Sequence, residues 1–232
     1  MSSLSHLQQD RRMYVHILRT FLFAALLSGI SCSRPAGFFT YEEQKLINEA
    51  ESLMRVLTTE DSLDLTVLRA SSKDLTSEML LSNEFKRISG LMIATVTHPS
   101  QDGVGIAGPQ VGLNRRVVAV QRFDKEGEPF EVYPNVSLVW ASDSLSAGPE
   151  GCLSVPGRRG EVMRSQEIII EYTDMASLED MATTTFPCKF LHHFRTAPLP
   201  MVRDTISGFT AVIFQHEIDH LDGILYTDRI GR

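Results

Sequence analysis

Gln215-His216-Glu217-Ile218-Asp219-His220, near the C-terminus, is the stretch from which the rest of this chain can be read. Two histidines four residues apart share one face of a helix, so both imidazoles can reach a single metal ion. Glu217, beside the first of them, is placed to work on a water bound to that metal. The helical context is present. Asp204 or Thr205 can cap the start, and Ile206, Phe209, Val212, Ile213 and His216 recur at helical spacing. Gly208 weakens the first turn without breaking the pattern, and Gly223 offers a stop. An ordinary buried helix with the same residues would hold a glutamate between two histidines, which is costly without a metal or a partner.

Taken alone, His-Glu-x-x-His reads as a zinc metalloprotease, and the third ligand tests that reading. One protease class places a third histidine three residues after a glycine. Gly223 fits, but Tyr226 stands at the histidine position. Another class uses a downstream glutamate, and Thr227–Arg232 contains none. The third ligand therefore comes from upstream, where Cys152, Cys188, His192 and His193 are the choices. Cys152 lies in Pro149-Glu150-Gly151-Cys152-Leu153-Ser154, whose glycine permits close backbone approach. Further upstream, Gly103-Val104-Gly105-Ile106-Ala107-Gly108-Pro109-Gln110-Val111-Gly112 is too rich in Gly and Pro for a helix. It also lacks the Lys-Ser/Thr of a phosphate loop.

Gly-x-Gly-x-Ala-x-Pro-Gln, Glu-Gly-Cys-Leu-Ser and Gln-His-Glu-x-Asp-His-Leu occur in that order. Together they resemble the three signature motifs of the peptide deformylases, which remove the N-formyl group from the initiator methionine of new polypeptides. The resemblance spans about Asp64 to Ile230, including Val67-Leu68-Arg69 and Leu225-Tyr226-Thr227-Asp228-Arg229. It implies an α+β fold, with antiparallel strands packed around a central metal-binding helix. It implies Cys152, His216 and His220 as metal ligands with water in the fourth position. Fe2+ is the usual metal of the family, and a Cys/His/His set also suits Zn2+, Ni2+ or Co2+.

In the same reading Glu217 is the general base, and Gln110 (side-chain amide) and Leu153 (backbone N–H) stabilise the oxyanion on the formyl carbon. The substrates it implies are N-formylmethionyl peptides. Gly105 lets an extended peptide pair with the first motif. Val104, Val212 and Ile213 either line the methionine pocket or pack in the core. Glu150 and Arg159 either form a supporting ion pair near the metal or sit on a solvated loop.

The chain departs from the family pattern in two places. Many relatives carry Ala at the position of Gly108, and a glycine there is expected to loosen the turn that positions Gln110. Met175–Arg203 reads as an insertion. Its Cys188, His192 and His193 suggest a second metal site or, more simply, incidental residues on a surface flap.

The 232 residues allow one catalytic domain, and 43% hydrophobic content is ample for its core. A net charge of −7, from 22 basic and 29 acidic residues, gives no sign of nucleic-acid binding. Three cysteines are too few for a disulfide framework. No residue pattern sets an oligomeric state.

Residues 1–32 read as a leader: Arg11, Arg12 and Arg19 precede the apolar run Phe21–Leu27, which runs into Ser28-Gly29-Ile30-Ser31-Cys32. The run is too short to span a bilayer. Cys32 resembles the lipid-anchor cysteine of bacterial lipoproteins, although Gly29 departs from the larger aliphatic residue usual there. The competing readings are a buried N-terminal helix or a true start at Met13. An exported protein would meet released formyl or N-acyl peptides, whereas a cytoplasmic one would meet nascent chains.

Residues 33–61 read as a linker and a helix, and 62–232 as the catalytic domain. Thr40-Tyr41-Glu42-Glu43 is a capping box for a helix to about Leu57, with Leu46, Ile47, Ala50, Leu53 and Met54 as its apolar stripe. A second helix is expected over Glu84–Thr97. Strands are expected at Arg116–Phe123, Phe130–Tyr133, Ser137–Trp140 and Glu167–Tyr172. Besides a deformylase, the chain could be a metalloprotease or a non-catalytic peptide binder; the latter need not retain Gln110, Cys152, His216, Glu217 and His220 together.

Overall fold

A computed structural model describes residues 37–184 and 198–231. The expected leader, Cys32, and the Cys188, His192 and His193 cluster lie outside these residues.

The front capping box forms as read. Thr40 Oγ1 accepts from the Glu43 N–H at 3.2 Å, and Glu43 Oε2 accepts from the Thr40 N–H at 2.7 Å. Helix α1 (Tyr41–Glu49) nevertheless stops well before Leu57. Ala50 turns to extended backbone, and Arg87 satisfies the freed end by donating to the carbonyls of Ile47 and Ala50. The residues beyond form no regular element and tie the two upstream motifs together. Leu57 N–H donates to the Gln110 carbonyl and Thr59 N–H to the Ser154 carbonyl, each at 2.8 Å.

Two short helices follow, α2 (Ser62–Leu68) and α3 (Ser77–Leu80), and then α4 (Asn83–Val96). Ser82 caps α4, which buries Phe85, Ile88, Leu91, Met92, Thr95 and Val96 along one stripe. Among the described residues no helix is long and apolar enough to cross a membrane.

The strands are antiparallel throughout. β1 (Gly105–Ala107), β2 (Val117–Gln121) and β3 (Phe130–Pro134) form one sheet in that order, with β1 at its edge. β4 (Ser137–Ala141), β7 (Glu167–Thr173) and β8 (Met201–Ser207) form a second, in the order β4-β7-β8. β5 (Leu145–Cys152) and β6 (Val155–Ser165) pair with each other as a long hairpin. The fold is thus mixed α/β with antiparallel sheets, in line with the α+β expectation. The four expected strands lie within one or two residues of their positions, whereas β1, β5, β6 and β8 were not anticipated.

Helix α5 (Met175–Thr184) opens the segment expected to be inserted, and its far end, Met201–Arg203, is paired into β8 against Glu171–Thr173. Asp204 and Thr205, expected as helix caps, are also β8 residues. Helix α6 (Gly208–Leu221) starts after Ser207, and Gly208 at φ 64° makes the strand-to-helix turn.

Gly108 does not loosen its turn. It is buried at the start of a 3-10 turn (Gly108–Val111), and a Cβ built on it would lie 2.6 Å from the Leu113 carbonyl oxygen and 2.7 Å from that of Arg115. The close backbone approach demands glycine, and the turn it permits holds Gln110 in place.

Candidate active site

Helix α6 is apolar on most of its surface and buries eleven residues, so its polar side chains must find partners inside the protein. His216 and His220 lie on one face, with ring centroids 5.0 Å apart. The end of β5 brings Cys152 to them: its Sγ is 3.2 Å from His220 Nε2. One donor atom each from Cys152, His216 and His220 fall within 4.8 Å of one another. The third member of the set comes from upstream, as the sequence requires.

His216 is oriented from behind. Its Nδ1 is 2.8 Å from Glu150 Oε2, which leaves Nε2 for the site. Glu150 is itself gripped by Arg164, through Nε–Oε1 at 2.7 Å and Nη2–Oε2 at 3.0 Å. Arg164 also donates to Asp219 Oδ2 at 2.6 Å, and Arg229 donates to the same aspartate. The expected Glu150–Arg159 pair does not form. In the β5–β6 ladder Arg159 lies opposite Gly151 and so projects to the other face from Glu150, whereas Arg164 shares the Glu150 face. Tyr226 stacks on His216 with centroids 6.0 Å apart and planes 21° from parallel.

Gln110 faces the same centre. Its Oε1 accepts from the Ala107 N–H at 2.8 Å, which aims Nε2 at Cys152 Sγ (3.4 Å) and Ser154 Oγ (3.3 Å). Glu217 is buried, and its Oε2 has no hydrogen-bond partner. It packs against Gly105 so tightly that a Cβ on that glycine would lie 2.5 Å from Oε1. A cavity of about 690 Å³ opens beside these groups. Val104, Gly105, Val212 and Ile213 all line it, as do Leu153 and Gln110. Ile213 is also part of the buried core, and the partly buried Val104 packs against it.

The profile of the family described as "Polypeptide deformylase" matches residues 54–187 and 201–232, most of the chain. The chain belongs to the peptide deformylase family. It is 30% identical over 171 residues to the peptide deformylase of Leptospira biflexa, covering 71% of this chain and 82% of that one. To peptide deformylase 2 of a Nostoc species it is 38% identical over 145 residues, 60% of this chain and 68% of the relative. The crystal structure of the Thermotoga maritima deformylase is matched with a TM-score of 0.60 at 27% identity, over 78% of this chain and all of that one. A class I type b deformylase from Acinetobacter baumannii, solved with Met-ala-ser bound, gives 0.60 at 29% over the same shares.

Deformylases are metal-dependent enzymes, and the residues present here fit a metal. Thiolate and imidazole donors suit a divalent transition ion, one atom from each of the three residues falls within 4.8 Å of the others, and the buried Glu217 carboxylate lines the same cavity. The electrostatics of the deformylase site agree. Burial opposes ionisation of the Cys152 thiol, yet His220 and His216 hold its pKa well below the usual range. Burial likewise opposes charge on His216, but the Cys152 sulfur and Glu150 hold it up at about 10. Glu150, despite burial, is held down at about 2 by His216 and Arg164. Glu217 goes the other way: burial lifts it to about 7.

Two contributors to this deformylase site escape a reading of the sequence. Phe209, 57% exposed in the first turn of α6, lines the cavity and packs its ring on Phe123. Its spacing from Val212 and Ile213 was the available signal, since all three fall on one helix face. Arg164 carried no local signal, because only the hairpin register brings it to Glu150.

Proposed function

We propose that this protein hydrolyses the N-formyl group from the terminal formylmethionine of polypeptides, using a divalent metal held by Cys152, His216 and His220. The observation that carries the reading is the buried Glu217 carboxylate, with no hydrogen-bond partner on Oε2, lining the same cavity as Cys152, His216 and the Gln110 amide. We read α6 as the central element of the fold, with the antiparallel strands packed around it. Iron(II) is the metal the family resemblance favours, and zinc, nickel or cobalt would substitute in the same donors. Such an ion supplies Lewis acidity, lowering the pKa of a water and polarising a carbonyl.

The chain's own residues do the rest. Glu217 accepts the proton of the attacking water and delivers it to the departing amine. Gln110 Nε2 and the Leu153 N–H donate to the oxygen of the formyl carbon as charge develops there, worth about 3–4 kcal/mol per donor. The free edge of β1 at Gly105 pairs with the extended peptide, and Val104, Val212, Ile213 and Phe209 receive the methionine side chain. Glu150, fixed by Arg164, keeps the His216 ring oriented.

On the sequence alone, residues 1–32 are assigned as an export leader with Cys32 as lipid acceptor, and 62–232 as the catalytic domain. Of the insertion placed at 175–203, residues 188–200 are those the family profile leaves unmatched.

The test is turnover of formyl-Met-Ala-Ser by anaerobically prepared, iron-loaded protein, with acetyl-Met-Ala-Ser alongside. Formate release from the formyl peptide, and no acetate from the other, is the expected result. No release at full metal occupancy would reject the assignment.

Metal loading carries its own pH dependence. His216, held up at about 10, is protonated at neutral pH and must lose that proton to become a ligand. Loading should release about one proton per ion, and affinity should strengthen roughly tenfold per pH unit through neutrality. Calorimetry in buffers of different ionisation enthalpy measures both. An affinity that does not change with pH would show that His216 is already neutral before the ion arrives.

A further inference from the structure

Strand β6 places two guanidinium groups beside the cavity that nothing in the chemistry above uses. Arg158 and Arg159 both line it and are both exposed. Every other arginine among the described residues is engaged, Arg87 on backbone carbonyls and the rest on carboxylates. Arg158 and Arg159 alone have neither an ion pair nor a hydrogen-bonded side chain within that set.

Their position is built rather than incidental. Arg159 lies opposite Gly151 in the ladder, and its stem covers that glycine: a Cβ there would sit 3.5 Å from Arg159 Cγ and 3.8 Å from Nε. The cation is thereby held next to the strand that ends in Cys152. Three carboxylates line the same cavity. Glu150 is committed to Arg164 and His216, and Glu217 is buried beside Gly105. Asp102, on the loop before β1, pairs with neither arginine. The cavity therefore combines an apolar wall from α6 with an uncompensated cationic rim from β6.

We propose that Arg158 and Arg159 form a carboxylate-selecting rim, which favours formyl peptides bearing a carboxylate two residues beyond the methionine. An extended chain advances about 3.3 Å per residue, so a carboxylate there lies within about 10 Å of the methionine. A free C-terminal carboxylate and an acidic side chain offer the same chemistry. The proposal rests on the site being a formyl-peptide hydrolase. Both arginines act on substrate selection and not on bond cleavage, so the effect falls on KM.

The test compares formyl-Met-Ala-Ser with a free C-terminus, its C-terminal amide, and formyl-Met-Ala-Glu-amide, using the metal-loaded full chain. At low ionic strength the free acid should exceed its amide roughly fivefold in kcat/KM, and the advantage should shrink at high salt. It should vanish in the Arg158→Gln/Arg159→Gln double variant. A matching advantage for the glutamate amide would mean that either carboxylate source serves; its absence would assign the rim to the free C-terminus.

Equal turnover of all three peptides by the unmodified protein would overturn the proposal, as would an advantage that persists in the double variant. If no peptide releases formate, the proposed function fails, and the rim is then read from calorimetric binding of Met-Ala-Ser against its amide. Tighter binding of the acid, lost in the double variant, supports the rim independently. Equal binding overturns it.

Discussion

Glu217→Ala is expected to keep its metal and lose formate release by about a thousandfold, the middle of the range for a positioned general acid–base. The carboxylate touches no other hydrogen-bonding group through Oε2, so removing it breaks no hydrogen bond at that oxygen. Nor is it one of the three donors that meet at the site. Loss of rate with metal content intact is therefore the signature of a proton carrier. The residue must be ionised to accept a proton, and burial lifts it to about 7, so activity should fall as pH drops through the carboxyl's titration. A bound cation favours the carboxylate and moves that midpoint lower. Metal analysis, circular dichroism and steady-state rates over pH make the measurement. A variant with undiminished turnover would take Glu217 out of the mechanism.

Arg164→Met is expected to cost about 3–5 kcal/mol of stability, the range for stripping one partner from a buried ionic network. Arg164 is 4% exposed and, among the described residues, alone bridges Glu150 and Asp219, two buried carboxylates that would lose their shared cation. The pH dependence follows from Glu150. Its pKa is lower in the folded protein, about 2, than its ordinary 4.5. The stability it contributes, roughly 3 kcal/mol, is therefore fully present above pH 4.5 and is lost as pH falls toward 2. Without Arg164, Glu150 protonates more readily, so acid unfolding should begin at higher pH. Urea denaturation at neutral and acid pH reads both effects. A loss below about 1 kcal/mol would show that the remaining contacts replace Arg164.

What could be read from the residues alone follows a physical division. Helix α6, helix α4 and strands β2, β3, β4 and β7 announce themselves because burial imprints a period on the apolar residues. The long hairpin does not. Leu145–Cys152 and Val155–Ser165 are rich in Gly, Pro and charge, and they are strands because each supplies the other's hydrogen bonds. The three family motifs were legible as short strings, since each is a run of adjacent residues. The support behind them was not, because Glu150 meets Arg164 only through a register set by pairing at a distance. Gly108 erred in the other direction. Its freedom was visible in the sequence, while the carbonyls of Leu113 and Arg115 that deny it a side chain were visible only in three dimensions.

Cys152 and His220 are 68 residues apart in the chain, one at the end of a hairpin and the other on a late helix. Under the proposed ligand assignment, an ion shared between them would work as a removable clasp on a large loop. A chain still being synthesised has no complete binding site until α6 has emerged and folded, so loading must follow folding. Once seated, the ion withdraws the native state from the unfolding equilibrium: at a free concentration one hundred times the dissociation constant the gain is about 2.7 kcal/mol. Starvation for the metal would then lower the amount of folded protein as well as its activity, with chelator-treated cells clearing the protein faster than replete ones.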